Sequence, residues 1–107
     1  MTHTARRARN EILFREANEK IRSVQKSLDL PHGEMPFVCE CDREACTQVI
    51  RLTPEEYERI RSRPRCFVVA PGHDATKIVA RHERYDIAEK EGREGELVEA
   101  ADPRKKP

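Results

Sequence analysis

The stretch Phe37-Val38-Cys39-Glu40-Cys41-Asp42-Arg43-Glu44-Ala45-Cys46 decides how this chain folds, because it holds three of the chain's four cysteines. Thiols clustered in this way, in a highly charged chain, favour a bound metal over a disulfide. The N-terminus has basic residues but no apolar segment behind them, which predicts that there is no secretory signal. We therefore expect a cytoplasmic protein whose thiols stay reduced and bind a metal.

Three thiols this close together point to zinc (Zn²⁺), although the single residue between Cys39 and Cys41 departs from the two to four residues that separate thiols in common zinc sites. Zinc takes four ligands at the corners of a tetrahedron, with cysteine sulfur at about 2.3 Å. Cys39 and Cys41 are two residues apart, so an extended backbone places them on the same side. Cys46 returns to them if residues 42–45 form a tight turn. The sequence therefore predicts zinc ligands at Cys39, Cys41 and Cys46.

A fourth ligand is needed, and His73 is the favoured one. It follows Pro71-Gly72, a turn that can direct the imidazole back towards the thiols. Cys66 competes for this role, but it begins a predicted strand whose neighbouring side chains point into the core. His82 and His32 are further alternatives.

Composition limits what else the chain can be. Its 107 residues predict one small domain, and with 36% hydrophobic residues its core is thin. The 21 basic and 20 acidic residues nearly cancel, so no overall field attracts the chain to nucleic acid or to a membrane surface. The longest apolar run, residues 66–70, is far too short to span a bilayer.

Two helices are predicted from local patterns. Apolar residues recur at spacings of three and four between residues 7 and 28, which predicts an amphipathic helix with one stripe: Phe14, Ala17, Ile21, Val24 and Leu28. Pro31-His32-Gly33 breaks that pattern. Thr53-Pro54-Glu55-Glu56 has the features of a capping box with proline in the first turn, so a second, short helix begins there and ends by Pro64.

Strands are predicted in the remaining apolar segments. Residues 37–52 indicate two short strands that meet in a turn at 42–45, residues 66–70 a buried strand, and residues 77–90 one bent strand or two. The predicted fold class is α+β: an N-terminal amphipathic helix (1–33), a zinc-stabilised antiparallel module with one capping-box helix (34–90), and a charged flexible tail (91–107).

Several of these motifs occur together in one known group. The motifs are Phe37–Cys41, Cys46, Leu52–Glu58, Phe67–Val69, Pro71–His73 and Arg84–Ile87. Jointly they resemble a group of small, mostly actinobacterial proteins of uncharacterised function, over about half of the chain. The resemblance implies that Cys39, Cys41, Cys46 and His73 form the site, with Cys66 outside it, and it implies no activity. Asp42 departs from the glycine that this group often has there.

Three classes of function remain, and a protein-binding module is favoured. In that hypothesis Phe14, Ile21, Val24 and Leu28 contact a protein partner or a second copy of the chain, in transcription or signalling. Docking of this stripe on the chain's own domain also stays open, and is the commoner use of such a stripe. The alternative is nucleic-acid binding through the basic residues of the N-terminus and of residues 59–65, although acidic neighbours and few aromatics argue against it. An enzyme with an open zinc, or with a reactive Cys66, is least favoured because thiol-rich zinc sites are usually structural.

Overall fold

Three helices and five short strands follow one another in the described part of the chain, and they form the α+β fold that the sequence predicts. The computed structural model describes residues 2–28, 33–43, 45–73 and 77–104. The elements are α1 (His3–Ser27), β1 (Met35–Val38), β2 (Val49–Leu52), α2 (Pro54–Arg61), β3 (Cys66–Val69), β4 (Ile78–Arg81), β5 (Asp86–Glu89) and α3 (Gly92–Ala100). Among these helices none is both long enough and apolar enough to cross a bilayer.

Strands β1 and β2 form an antiparallel hairpin whose long connection carries the three clustered cysteines. Phe37 lies opposite Ile50, and the hairpin adds one further hydrogen bond from the Cys39 N–H to the Gln48 carbonyl (3.1 Å). The sequence predicted that the thiols lie within the strands. They lie instead in the loop after β1, because a flat strand would keep the side chains of Cys39 and Cys41 too far apart to converge.

The second sheet has three strands in the order β3-β5-β4, all antiparallel. The register between β4 and β5 shifts between Ile78 and Ala80, which is the irregularity expected for a bent or bulged segment. All four residues of β3 are buried. The strand predictions for residues 66–70 and 77–90 are thus confirmed, with the second segment divided into two strands.

Helix α2 begins at the predicted capping box. The Thr53 hydroxyl accepts a hydrogen bond from the Glu56 N–H (3.1 Å), and the Glu56 carboxylate accepts one from the Thr53 N–H (2.8 Å). Tyr57 is fully buried and stacks on Phe37, with ring centroids 4.6 Å apart. This stacking joins α2 to the strand that leads into the cysteine loop.

Helix α1 packs on the rest of the protein, but largely through polar side chains. Five of its residues are buried: Ala8, Glu11, Arg15, Asn18 and Gln25. Of the predicted apolar stripe, Phe14 and Ile21 are partly buried against the core, whereas Val24 and Leu28 are mostly exposed. The helix was predicted correctly, but its buried face lies to one side of the predicted stripe because ion pairs and hydrogen bonds replace apolar contacts there.

The prediction of a flexible tail from residue 91 is wrong for the described residues, 91–104. Residues Gly92–Ala100 form α3, which packs on α1 through Val98, a side chain with no exposed surface. Beyond α3, Asp102 pairs with the buried Arg61 (2.5 Å). The few apolar residues of this segment therefore suffice to dock a helix, because ion pairs add to them.

Candidate metal centre

The four side chains predicted as metal ligands converge in one place. One ligand atom from each of Cys39, Cys41, Cys46 and His73 lies within 4.8 Å of those of the other three. A tetrahedral zinc with ligands at about 2.0–2.3 Å requires ligand atoms a little under 4 Å apart. The cluster is therefore compatible with one metal ion after small side-chain movements.

A proline-glycine turn places His73 next to the thiols. The turn runs from Ala70 at the end of β3 to His73, whose N–H donates to the Ala70 carbonyl (3.3 Å). Gly72 has φ +83°, the value that the third residue of a type II turn requires and that glycine adopts without strain. The turn reverses the chain, so that Nε2 of His73 lies 3.6 Å from Sγ of Cys46.

The cluster has a buried side and an open side. Cys39 and Cys41 are only 2% and 4% exposed and belong to the main hydrophobic core. Cys46 and His73 are half-buried and border a surface cleft of about 340 Å³, which is also lined by Arg43, Thr47 and Gln48. A metal ion could enter from this side without opening the core.

The two buried thiols share one proton, which Cys39 retains while Cys41 is poised to be a thiolate. A hydrogen bond between them raises the pKa of Cys39 and lowers the pKa of Cys41 to about 5. The Cys39 sulfur also accepts a hydrogen bond from the Ala70 N–H (3.2 Å), which favours its thiolate. Because metal ions bind thiolates rather than thiols, a cation can replace the proton that the two sulfurs share.

The donor set fits zinc better than other common metals. Three soft sulfurs and one imidazole nitrogen form a set typical of tetrahedral zinc, whereas magnesium and calcium prefer oxygen. Four protein ligands also fill every position of a tetrahedral ion. A complete set of four protein ligands is typical of closed, structural zinc sites.

Sequence reasoning missed the residues on the other side of the loop, above all Glu40. Its carboxylate is completely buried, although it lies between two cysteines in a highly charged chain. It accepts hydrogen bonds from Asn18 (3.0 Å), from the Tyr57 hydroxyl (2.9 Å) and from the Val68 N–H (3.1 Å). The alternation of side chains along an extended segment could have indicated that Glu40 points away from the two thiols.

The other candidate ligands lie apart from the cluster or outside the described residues. Cys66 is buried at the start of β3, where burial raises the pKa of its thiol, the opposite of what a reactive cysteine needs. His82 stacks on Tyr85, with ring centroids 4.5 Å apart. His32 lies outside the described residues.

Most arginines of the predicted basic region face carboxylates. Arg61 pairs with Asp102, Arg63 with Glu89 (2.7 Å) and Arg65 with Glu99 (2.7 Å). At the N-terminal end Arg7 pairs with Glu94, and Arg15 is buried. Such pairing reduces the positive potential that a nucleic-acid backbone would meet.

No protein-family model, curated protein or solved structure matches this chain, so the geometry of the cluster carries the argument about function.

Proposed function

We propose that this protein is a small, non-enzymatic binding module whose fold is closed by one structural zinc ion. The observation that supports the proposal is the convergence of Cys39, Cys41, Cys46 and His73 within 4.8 Å. Catalytic zinc keeps one position open for water or substrate, whereas this set fills all four. In a thin-cored chain the free energy of metal binding becomes folding free energy. A reducing cytoplasm would keep the thiols available.

The second part of the proposal is an interaction with another protein through the solvent-facing side of α1. Leu13, Val24 and Leu28 are 52%, 53% and 63% exposed. Leu13 and Val24 are three helical turns apart and Leu28 follows one turn later, so the three side chains lie along one side of the helix. We name this set the α1 apolar line. It replaces the predicted contact set, because Phe14 and Ile21 pack on the protein's own core.

The occupant that fits the α1 apolar line is a second copy of the chain. An antiparallel pair of α1 helices brings Leu13 of each copy opposite Val24 of the other. Glu16 and Lys20, both exposed, lie beside the same line, and in this pairing each carboxylate lies near the ammonium group of the other copy. Opposite charges at these positions favour this pairing over a parallel one.

Native mass spectrometry of protein purified without chelator tests both parts at once. We expect one zinc per chain and a dimer at high protein concentration. Metal-free protein that stays folded, or a disulfide among Cys39, Cys41 and Cys46, would refute the zinc site. A monomer at every concentration would refute the pairing while leaving the zinc site intact.

A surface variant tests whether a dimer, if observed, forms through α1. The double substitution Val24→Asp and Leu28→Asp should give monomers with unchanged zinc content and melting temperature, because both side chains are exposed. Lys26→Asp, an exposed change on the opposite side of the same helix that alters the charge by the same two units, serves as the control and should stay dimeric. A variant that remains dimeric would place the contact elsewhere.

Nucleic-acid binding is the less well supported alternative. The arginines it would use are engaged with carboxylates of the same chain, as described above. A nucleic-acid binder would also show binding that weakens steeply with salt. Retention on heparin at physiological salt would favour this alternative over the protein-binding module.

A further inference from the structure

The spacer residue of the Cys39-Glu40-Cys41 motif is tied to three separate elements of the fold. One carboxylate oxygen of Glu40 accepts from the Val68 N–H in β3, and the other accepts from Asn18 in α1 and from the Tyr57 hydroxyl in α2. The Glu40 N–H in turn donates to the Val68 carbonyl (2.8 Å). Backbone and side chain of this single residue are thus both held by neighbouring elements.

A buried carboxylate is costly unless its charge is compensated, and here a buried arginine supplies the opposite charge. Arg15, only 1% exposed, has its Nε 3.8 Å from a carboxylate oxygen of Glu40. Its guanidinium lies 3.5 Å from the centre of the Phe67 ring and donates to the Pro64 and Cys66 carbonyls. The arginine is therefore fixed in place, and with it the charge that Glu40 faces.

Helix α1 reaches the cysteine loop through a second set of contacts beside Glu40. Asn18 donates to the Val38 carbonyl (2.8 Å) and accepts from the Val38 N–H (2.8 Å), so it pairs with the last residue of β1. Asn10 donates to the Asp42 carbonyl (3.2 Å), just after Cys41. The backbone on both sides of the Cys-Glu-Cys segment is thereby bound to one helix.

We propose that Glu40 is the positioning residue of the metal centre: it fixes the backbone between Cys39 and Cys41 so that both thiols face the ion, and it couples metal binding to the docking of α1. The inference rests on the proposed zinc site. Cys39 and Cys41 are the two neighbours of Glu40 in the chain. If the Glu40 carboxylate loses its hydrogen bonds, the backbone on both sides of it can move, and with it both sulfur atoms. Groups that orient metal ligands in this way typically contribute 10–100-fold to metal affinity.

A matched pair of tyrosine variants tests the proposal. Tyr57 and Tyr85 are both buried, and each hydroxyl donates to a glutamate, Tyr57 to Glu40 (2.9 Å) and Tyr85 to Glu56 (3.2 Å). Tyr57→Phe should weaken zinc binding about tenfold in competition with a chromophoric chelator. Tyr85→Phe removes a similar hydrogen bond away from the site and should leave the affinity at the wild-type value.

A spectroscopic signature separates positioning from general loss of stability. Co²⁺ in place of zinc reports the number and arrangement of thiolate ligands through its charge-transfer and ligand-field bands. Glu40→Ala should shift and broaden these bands and lower Co²⁺ affinity by roughly 10–100-fold. Glu40→Gln keeps an oxygen that can accept from the Val68 N–H, so it should restore part of the affinity.

Different results would contradict the positioning role of Glu40 and the metal site itself. Equal zinc affinities for Tyr57→Phe and Tyr85→Phe, or wild-type Co²⁺ spectra for Glu40→Gln and Tyr57→Phe, would overturn the positioning role. Should Glu40→Ala fail to fold, the two milder variants still decide. Wild-type protein that binds neither zinc nor Co²⁺ would instead refute the proposed metal site itself.

Discussion

At the scale of single residues, the buried cysteines differ in what surrounds their sulfur atoms. The sulfurs of Cys39 and Cys41 lie close to a third thiol and an imidazole. The Cys66 thiol is also buried, but it lies outside this cluster, among the residues that line a small cleft of about 180 Å³ between α2 and the sheet. Replacing one or the other thiol should therefore have different consequences.

Cys41→Ser should abolish tight zinc binding and greatly lower the melting temperature, because a structural ligand is lost and metal binding is linked to folding. Cys66→Ser should cost only about 1–3 kcal/mol for burying a hydroxyl in place of a thiol. Thermal melts of both variants, together with zinc content, measure the difference.

The zinc content of the Cys66→Ser variant serves as the internal control and should stay at one ion per chain. A larger loss of stability for Cys66→Ser than for Cys41→Ser would mean that Cys66, rather than a member of the cluster, contributes the critical group. That result would also weaken the choice of His73 as the fourth ligand.

Residue types and short spacings were sufficient to predict the Cys/His cluster, but not the residues that hold the cysteine loop in place. Cysteine and histidine are common metal ligands, so the three cysteines and the histidine after the proline-glycine turn can be recognised from the sequence alone. Glu40 cannot be recognised in this way, since a glutamate in a highly charged chain is ordinarily solvated. Its role depends on Arg15, Asn18 and Tyr57, which are distant in sequence and meet only in the folded protein.

At the scale of elements, a helix was predicted when its sequence signals lie within a few consecutive residues and missed when it depends on packing against a distant segment. Helix α2 was predicted because its capping box lies within four consecutive residues. Helix α3 was missed because its first residue, Gly92, has φ +58° and its cap, Glu91, makes no side-chain hydrogen bond. Its apolar content is also low, so packing on α1 decides its structure more than helix propensity does.

The packing of α3 depends on a glycine. A Cβ added at Gly95 would lie 2.6 Å from the Lys90 carbonyl oxygen and 2.8 Å from a guanidinium nitrogen of Arg65. The first of these atoms belongs to the backbone and cannot move aside cheaply. Gly95 therefore allows α3 to approach the end of β5 more closely than any other residue would.

Gly95→Ala should lower the melting temperature by several degrees. In an exposed helix the same change would stabilise by about 1 kcal/mol, but here the added methyl group overpacks the contact, at a cost of roughly 1–3 kcal/mol. Gly33→Ala is the matched control, since a Cβ there meets nothing within 4 Å. A Gly95→Ala protein as stable as the wild type would show that α3 does not pack at this distance.

At the scale of the whole molecule, the two ends of the chain pack on each other. Ala8 of α1 and Val98 of α3 form a small second core with Phe67. Farther along, Arg104 bonds to Glu19 (3.0 Å) and to Glu58 (2.7 Å), which joins the C-terminal segment to α1 and α2. Both terminal helices therefore belong to one cooperative structure with the metal loop.

The contact between α1 and α3 contains buried charges that should make stability depend on pH. Lys90 lies 2.6 Å from the Glu11 carboxylate and 4.0 Å from that of Glu94, which also pairs with Arg7. Burial, together with the neighbouring Glu94 carboxyl, raises the pKa of Glu11 to about 8, although Lys90 opposes the shift. The folded protein thus keeps a proton on Glu11 that the unfolded chain releases near its ordinary pKa of 4.5.

A carboxyl whose pKa is raised by folding contributes stability at low pH and loses it as pH rises through the folded value. The Glu11 contribution should therefore decline between about pH 4.5 and pH 8. Glu11→Gln removes this titration, so the melting temperature of the variant minus that of the wild type should increase from pH 5 to pH 9. Both proteins are measured with saturating zinc, and the subtraction cancels the titration of the thiols, which the two share. A difference that stays constant or falls over this range would mean that Glu11 is ionised in the folded state and that its ion pair with Lys90 outweighs the cost of burial.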